Sequence, residues 1–403
     1  MSAAAPPSAG VDDRRSARAA REGRMAPVHR RPGRFDVTTL DEGRRVLRAA
    51  GVVQAGFKAE LVQARSNGPD RRPPILYMEG EDHRRHRTAT ARFFAPRVVA
   101  SDYAELMSRV SERLTAKLLR RGRARLDDLS LELSVEVASA IIGLTQSGRR
   151  GMGRRLDAFF TQTPVETPRG PLAVVAQLRG AWRMLDFFWR DVKPAIRARR
   201  KAPGADVISH LLAEGYGDGD ILVECFTYGA AGMVTTREFV TMAGWHLLDR
   251  PELRARFVAA DLPGRTAILE EILRLEPVVG VIYRRCADGA EGTDGCPVPH
   301  GALAAIDVRA ANLDPGVFGD DAAELKVDRA APRGAATGLA FGDGVHRCPG
   351  AQVALQETAI FLGALLANPE VRLERAPRVG WNPLITGYEL RGAWLTTRPI
   401  AES

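Results

Sequence analysis

The stretch that most constrains this chain is Phe341-Gly342-Asp343-Gly344-Val345-His346-Arg347-Cys348-Pro349-Gly350, which ends where a helix begins near Ala351. Its glycines let the backbone turn tightly and approach a flat ligand closely. The start of a helix offers unpaired N–H groups and the positive end of the macrodipole, and a thiol needs such potential to stay deprotonated. N–H groups aimed at the sulfur would tune its strength as a donor to a metal. A lone cysteine is ordinarily a buried structural residue. The Gly spacing, Phe341, His346 and the helix that follows argue against that reading here.

The rest of the chain can house such a site. Its 403 residues are 45% hydrophobic and 27% charged, which is ordinary for a globular protein with a core large enough to bury a cofactor. Residues 1–30 are rich in Ala, Pro, Ser and Arg and read as a flexible tail; residues 31–403 read as one catalytic domain. Val52 and Val53 suggest a short strand, and the Pro- and Arg-containing stretch 57–77 a long functional loop. From Glu81 to about Gly215 apolar residues recur at helical spacing, as in Leu106–Val110–Leu114–Leu118. Asp218 to Leu248 reads as one long helix, apolar nearly all round and therefore buried. The segment 277–327 turns β-rich, Gln352–Ala367 returns to helix, and Val371–Arg398 reads as short strands. The expected class is mostly α with a minor β portion.

The net charge of +9 favours acidic partners. Basic residues are not interleaved with aromatics and no nucleic-acid motif is present, so nucleic acid is not expected. Cys225, Cys286, Cys296 and Cys348 show no C-x-x-C spacing, which disfavours a zinc site. They are too few for a disulfide framework in so long a chain, which suggests a reducing cytoplasm. No apolar run reaches membrane-spanning length and no secretory leader is evident, so a cytoplasmic protein without membrane contact is expected.

The run F-G-D-G-V-H-R-C-P-G-A closely resembles the haem-binding loop of the cytochrome P450 family, and further segments resemble other family elements in the expected order over roughly residues 35–400. The resemblance implies a single-domain fold with a long central helix over the haem. It also implies one haem b (iron protoporphyrin IX) per chain, with Cys348 as its axial thiolate ligand. A thiolate pushes electron density onto iron and favours O–O cleavage. Phe341, Gly342, Gly350, Ala231 and Gly232 would then border the haem. His83 and Arg87 resemble the H-x-x-x-R element that holds propionates, and Arg285 and His346 resemble two further propionate partners. Of the adjacent pair Arg284 and Arg285, either can point inward.

Glu271-Ile272-Leu273-Arg274 looks like the structural E-x-x-R motif, a carboxylate and a guanidinium on one helix face. The family usually adds a third Arg, but Glu324 stands at the matching position, leaving Arg329 or Lys326 as substitutes. Gly229-Ala230-Ala231-Gly232-Met233-Val234-Thr235-Thr236 resembles the oxygen-activation groove, with Thr235 and Thr236 as catalytic residues that help deliver protons. Val234 replaces the usual acid. Either protons arrive by another route (water, Thr236 or Glu238), or the enzyme depends less on the relay and favours coupling or desaturation. The former is preferred.

By family position the substrate pocket would include Ala230, Met233, Val234, Val279, Val281, Ile282 and Leu390, an apolar set suited to a bulky apolar or aromatic molecule. The implied activity is a monooxygenase of secondary-metabolite biosynthesis, monomeric, fed electrons by a ferredoxin and its reductase, with Arg347, Arg92 and Arg97 as a basic docking face. The alternatives are a same-fold oxidase that inserts no oxygen and a haem-binding sensor without turnover.

Overall fold

The computed structural model describes residues 12–18, 33–56, 72–146, 149–161, 171–287, 297–298, 302–330, 334–382 and 385–398. It is predominantly helical with a minor sheet portion, as expected. The stretch 57–71 of the anticipated loop lies outside the described residues, while Ile75–Tyr77 forms a 3-10 turn.

Eight helices position the site: α1 (Leu40–Arg48), α2 (Gly80–Ala91), α3 (Ala104–Arg121), α4 (Leu126–Ile142), α5 (Asp218–Gly229), α6 (Thr235–Asp249), α7 (Leu262–Leu275) and α8 (Ala351–Leu366). Local sequence sets their ends. α3 and α4 stop at Gly122 and Gly143, both left-handed, which frees the chain to reverse without a Cβ penalty. The Asp261 carboxylate caps the start of α7 by accepting from the Gly264 amide. α8 is apolar nearly all round and accordingly buried, with Phe361, Leu362 and Leu365 wholly enclosed. It packs with α3, α4, α6 and α7 in the main core.

The anticipated long helix is present, but α5 and α6 are joined by a π-helical turn, Ala230–Val234. A π turn breaks the regular i to i−4 ladder and is frequent at functional sites. Ser134 of α4 donates to the Met233 carbonyl in this turn at 2.9 Å.

The strands β1 (Arg34–Val37), β2 (Val52–Gln54), β4 (Val281–Cys286) and β5 (Leu303–Asp307) form one sheet in the order β1-β5-β4-β2. Its β1/β5 pair is parallel and the other pairs are antiparallel. β3 (Arg123–Arg125), β9 (Trp394–Thr396) and β6 (Arg372–Arg375) form a second sheet, and β7 (Arg378–Asn382) with β8 (Gly387–Arg391) a hairpin. The first sheet and α1 cradle the cysteine loop. Gly344 has φ +67, and a Cβ there would lie 2.0 Å from the Leu47 carbonyl of α1, so only glycine allows the loop to lie this close.

Within the expected N-terminal tail, Asp12–Arg18 lies against the body of the protein. The Ser16 hydroxyl donates to Glu276 at 2.6 Å and Arg250 pairs with Asp13 at 2.7 Å. Cys286 is disulfide-bonded, a cross-link that cysteine count alone did not foresee. Among the described residues no helix is long and apolar enough to cross a membrane.

Candidate functional site

Cys348 sits three residues before the start of α8, and its amide donates to the Phe341 carbonyl at 2.9 Å, closing the loop on itself. The thiol borders a recess of about 230 Å³ together with Phe94, Phe341, Arg347 and Gln352. Burial pushes the thiol pKa up, against the pull of a hydrogen bond from the Gly350 amide and of the Arg87 and Arg347 charges. These are the stabilising contacts that a thiolate ligand uses. Among the described residues no cluster of three or more His, Cys, Asp or Glu is placed to hold a metal.

Three of the four anticipated propionate partners converge beside this loop. His83 and Arg87 are one turn apart on α2, and the His83 ring lies 4.3 Å from that of His346. Arg87 donates to the Arg347 carbonyl. Burial, helped by the neighbouring His346, lowers the His83 pKa to about 4. The fourth anticipated partner is corrected. Arg285 lies on the exposed face of β4, whereas Arg284 is buried and shares a face with Ile282, which approaches Gly342 of the loop. Strand alternation allows only one of two adjacent arginines to point inward. Arg284 donates to Gln54, and burial drops its pKa to about 10.

Sequence reasoning missed Glu79. Burial would raise its pKa, but a hydrogen bond with His346 at 3.2 Å, the Gln54 amide and the Arg284 charge lower it overall. His346 and Arg284 face the Glu79 carboxylate and Arg87 stands beside His83, so two guanidiniums outnumber one carboxylate and leave positive potential to spare. That surplus fits a ligand bearing two carboxylates beside a flat ring system against the glycine loop, as haem does.

On the groove side, Thr235 folds back to donate to the Ala231 carbonyl. Ala231 is exposed, Gly232 and Thr235 are partly so, and Val234 is buried. The two side-chain candidates for a proton route, Thr236 and Glu238, separate. Glu238 is wholly buried and engaged by Arg237 at 2.9 Å, by Arg391 at 2.7 Å and by the Leu390 amide at 2.7 Å, so it serves as a structural anchor. Thr236 instead hydrogen-bonds Glu357 of α8, whose pKa burial raises well above the carboxylate range. Glu357 was not singled out from sequence, because nothing local marks a carboxylate that meets its partner across two helices.

The anticipated substrate residues do not form one surface. Met233 and Leu390 are fully enclosed in the main core, and Val281 is buried. Ala230, Val279 and Ile282 keep partial exposure and remain available to a ligand.

The Glu271–Arg274 pair is bidentate at 2.7 and 2.8 Å, and Arg274 also donates to the Asn312 and Ala322 carbonyls. Arg329 supplies the further arginine of the network, the second cation on Glu271, donating to it at 3.2 Å. Lys326 contributes only its backbone amide to Glu271, and its ammonium goes to Asp321. Glu324 enters this network through its carbonyl, which accepts from Arg329 at 3.0 Å, while its carboxylate turns away from Glu271 to the Lys326 ammonium at 3.7 Å.

The profile of the family described as Cytochrome P450 matches residues 183–379. Cytochrome P450 107B1 of Saccharopolyspora erythraea is 31% identical over 80% of this chain and 77% of its own length. Pulcherriminic acid synthase of Bacillus subtilis is 26% identical over 79% of this chain and 80% of its own length. A solved structure of a mutant P450 EryK in complex with erythromycin B superposes with TM-score 0.74 at 22% identity, covering 98% of this chain and all of that one.

Proposed function

The chain belongs to the cytochrome P450 family of oxidoreductases, and on that premise we propose that it is a haem-thiolate monooxygenase acting on a small, mainly apolar or aromatic natural product. Electrons would come from an acidic ferredoxin and its reductase. The observation that carries this reading is the convergence of Cys348, Arg87, His83 and His346 on one side of the glycine loop. The naming of a relative for pulcherriminic acid supports a natural-product substrate.

In this reading Cys348 ligates the iron, and Arg87, His83, His346 and Arg284 hold the propionates. When bound, the haem supplies a redox-active iron on which the thiolate's electron donation favours O–O cleavage. Thr235 and the open backbone near Ala231 border the oxygen side. Thr236 and Glu357 hold protons close to it. Val234 keeps the groove dry, while Ala230, Val279 and Ile282 present apolar contact surface. Arg347 and Arg97, both exposed near the cysteine recess, suit a weak, salt-sensitive contact with an acidic donor.

The apolar Val234 favours one second reading, an oxidase that couples or desaturates. The Thr236–Glu357 pair weighs against it, because it keeps an acid bonded to the residue next to Thr235. A screen for compounds that shift the haem spectrum identifies the substrate, and product mass then decides. A gain of one oxygen atom is expected, whereas loss of two hydrogens alone establishes the second reading. The Cys348→Ala variant should lose the ferrous–CO band of a thiolate-ligated haem, and its retention overturns the ligand assignment.

A further inference from the structure

A second polar cavity, of about 250 Å³, opens on the outer side of α2 and is lined by Tyr77, Asp82, Arg85, His86, His210 and Tyr216, among others. A line of buried polar groups runs inward from its wall. The Tyr216 hydroxyl lies 3.1 Å from His86 Nδ1, and the other ring nitrogen of His86 lies 3.6 Å from Glu224 Oε1. Glu224 is 1% exposed. One turn further along α5, the Tyr228 hydroxyl is also buried, beside Thr90 and Arg87. Glu224 Oε2 and His86 Nε2 have no hydrogen-bond partner among the described residues. A buried polar group left without a hydrogen-bond partner keeps its full desolvation cost. A cluster that leaves two such atoms side by side is a poor structural device, so another role is called for.

The line points at the groove. Glu224, Tyr228 and Ala231 follow at spacings of four and three, on one helix face, and the Ala231 carbonyl accepts the Thr235 hydroxyl. The inner end, Tyr228, therefore stands one turn before Ala231 of the groove, while the outer end reaches the cavity.

We propose that Tyr216, His86, Glu224 and Tyr228 form a proton path from this cavity to the groove, supplying protons where Val234 offers none. This inference rests on the monooxygenase reading above. One proton enters from solvent at Tyr216 for each proton that leaves Tyr228, and every member gives one as it takes one, so no net charge stays behind. The protons are consumed in the reduction of O2, with electrons from the ferredoxin.

The charge states suit this traffic. Burial raises the Glu224 pKa to about 8, against the pull of the Ile75 amide and with a further push from Asp220, so the group carries a transferable proton at neutral pH. Burial lowers His86 to about 4, helped by His210, Arg72 and Arg85 and opposed by Glu214, so its ring is neutral and free to accept and donate. Cys225, next to Glu224 in sequence, is pushed up by burial and stays a thiol.

The test uses the full-length holoenzyme with Glu224→Gln, which keeps the shape and removes the proton. Product formed per reducing equivalent should fall several-fold, the solvent deuterium effect on turnover should grow, and Glu224→Asp should recover part of both. Independently of turnover, an infrared difference spectrum of the resting wild-type holoenzyme minus Glu224→Gln should contain a protonated-carboxyl C=O band at pH 7. If Glu224→Gln does not fold, Tyr216→Phe at the outer end should lower coupling in the same direction. Unchanged coupling and isotope effect, or absence of the infrared band, overturns the path. If wild type itself shows no thiolate-haem spectrum, the function reading fails instead, so the two failures are distinct.

Discussion

Single residues decide how the departures from the family pattern are accommodated. Glu324 occupies the position where a third arginine is usual, yet Arg329 reaches Glu271 from five residues further on, and Asp321 holds it in place. Arg329→Ala should therefore destabilise by about 1.5–3 kcal/mol, the contribution of hydrogen bonds to a charged group, with Glu271 still held by Arg274. Glu324→Ala should stay within about 0.5 kcal/mol, as is usual for a surface change. Denaturant midpoints of the two variants check the contrast, and equal losses would remove Arg329 from the network. The buried Glu224 adds a pH dependence. Its folded pKa of about 8 lies above its ordinary carboxylate value, so the stability it permits is full below that value and is lost as pH rises through about 8. Wild type should lose stability relative to Glu224→Gln across that window in thermal unfolding at stepped pH, and parallel curves would contradict the burial. Arg329 was named from sequence as one of two candidates, but sequence could not choose, because the choice depends on which side chain the turn after Phe318 directs at α7.

At the scale of elements, the groove depends on a helix irregularity that no local sequence rule announces. Gly229–Gly232 marks a weak point in a helix, since mid-helix glycine costs about 1 kcal/mol relative to alanine, but the π-helical form of Ala230–Val234 is set by what surrounds it. Ser134 of α4 satisfies the Met233 carbonyl. Ser134→Ala should cost about 1 kcal/mol, a typical net hydrogen bond, and should shift the spectral response to substrate by loosening the turn. An unchanged substrate-induced spectrum would show that the turn holds without it. Strand pairing likewise resolved the arginine pair on β4. The sequence offers Arg284 and Arg285 equally, and the register of β4 against β2 and β5 turns only Arg284 toward the loop.

For the molecule as a whole, the N-terminal segment acts as a strap. Arg15 and Ser16 bond to Glu276 at the end of α7, and Arg15 also pairs with Asp249 of α6 at 3.0 Å. Glu276 is 1% exposed, and its remaining side-chain partner is His246, at 3.3 Å. Deleting residues 1–18 should lower stability by about 2–4 kcal/mol, because it strips hydrogen bonds from a buried carboxylate. Chemical denaturation followed by tryptophan fluorescence measures it, and an unchanged midpoint would mean the strap adds nothing. Composition made this stretch look like a tail, since it has little apolar surface to bury. Its docking rests on hydrogen bonds and ion pairs whose partners lie more than two hundred residues away.

The features legible in the sequence were those written locally: the glycine-rich loop that presents Cys348 at a helix start, the periodicity of the helices, the E-x-x-R pair and the missing acid at Val234. Each follows from backbone conformation or from residues within one or two turns. Tertiary structure alone decided which arginine faces the loop, that Glu238 is an anchor while Glu357 meets Thr236, that Met233 and Leu390 belong to the core, and that Glu224, His86 and Tyr216 stand in line. These are contacts between distant segments. Burial and partner geometry set them, and both exist only once the chain is packed.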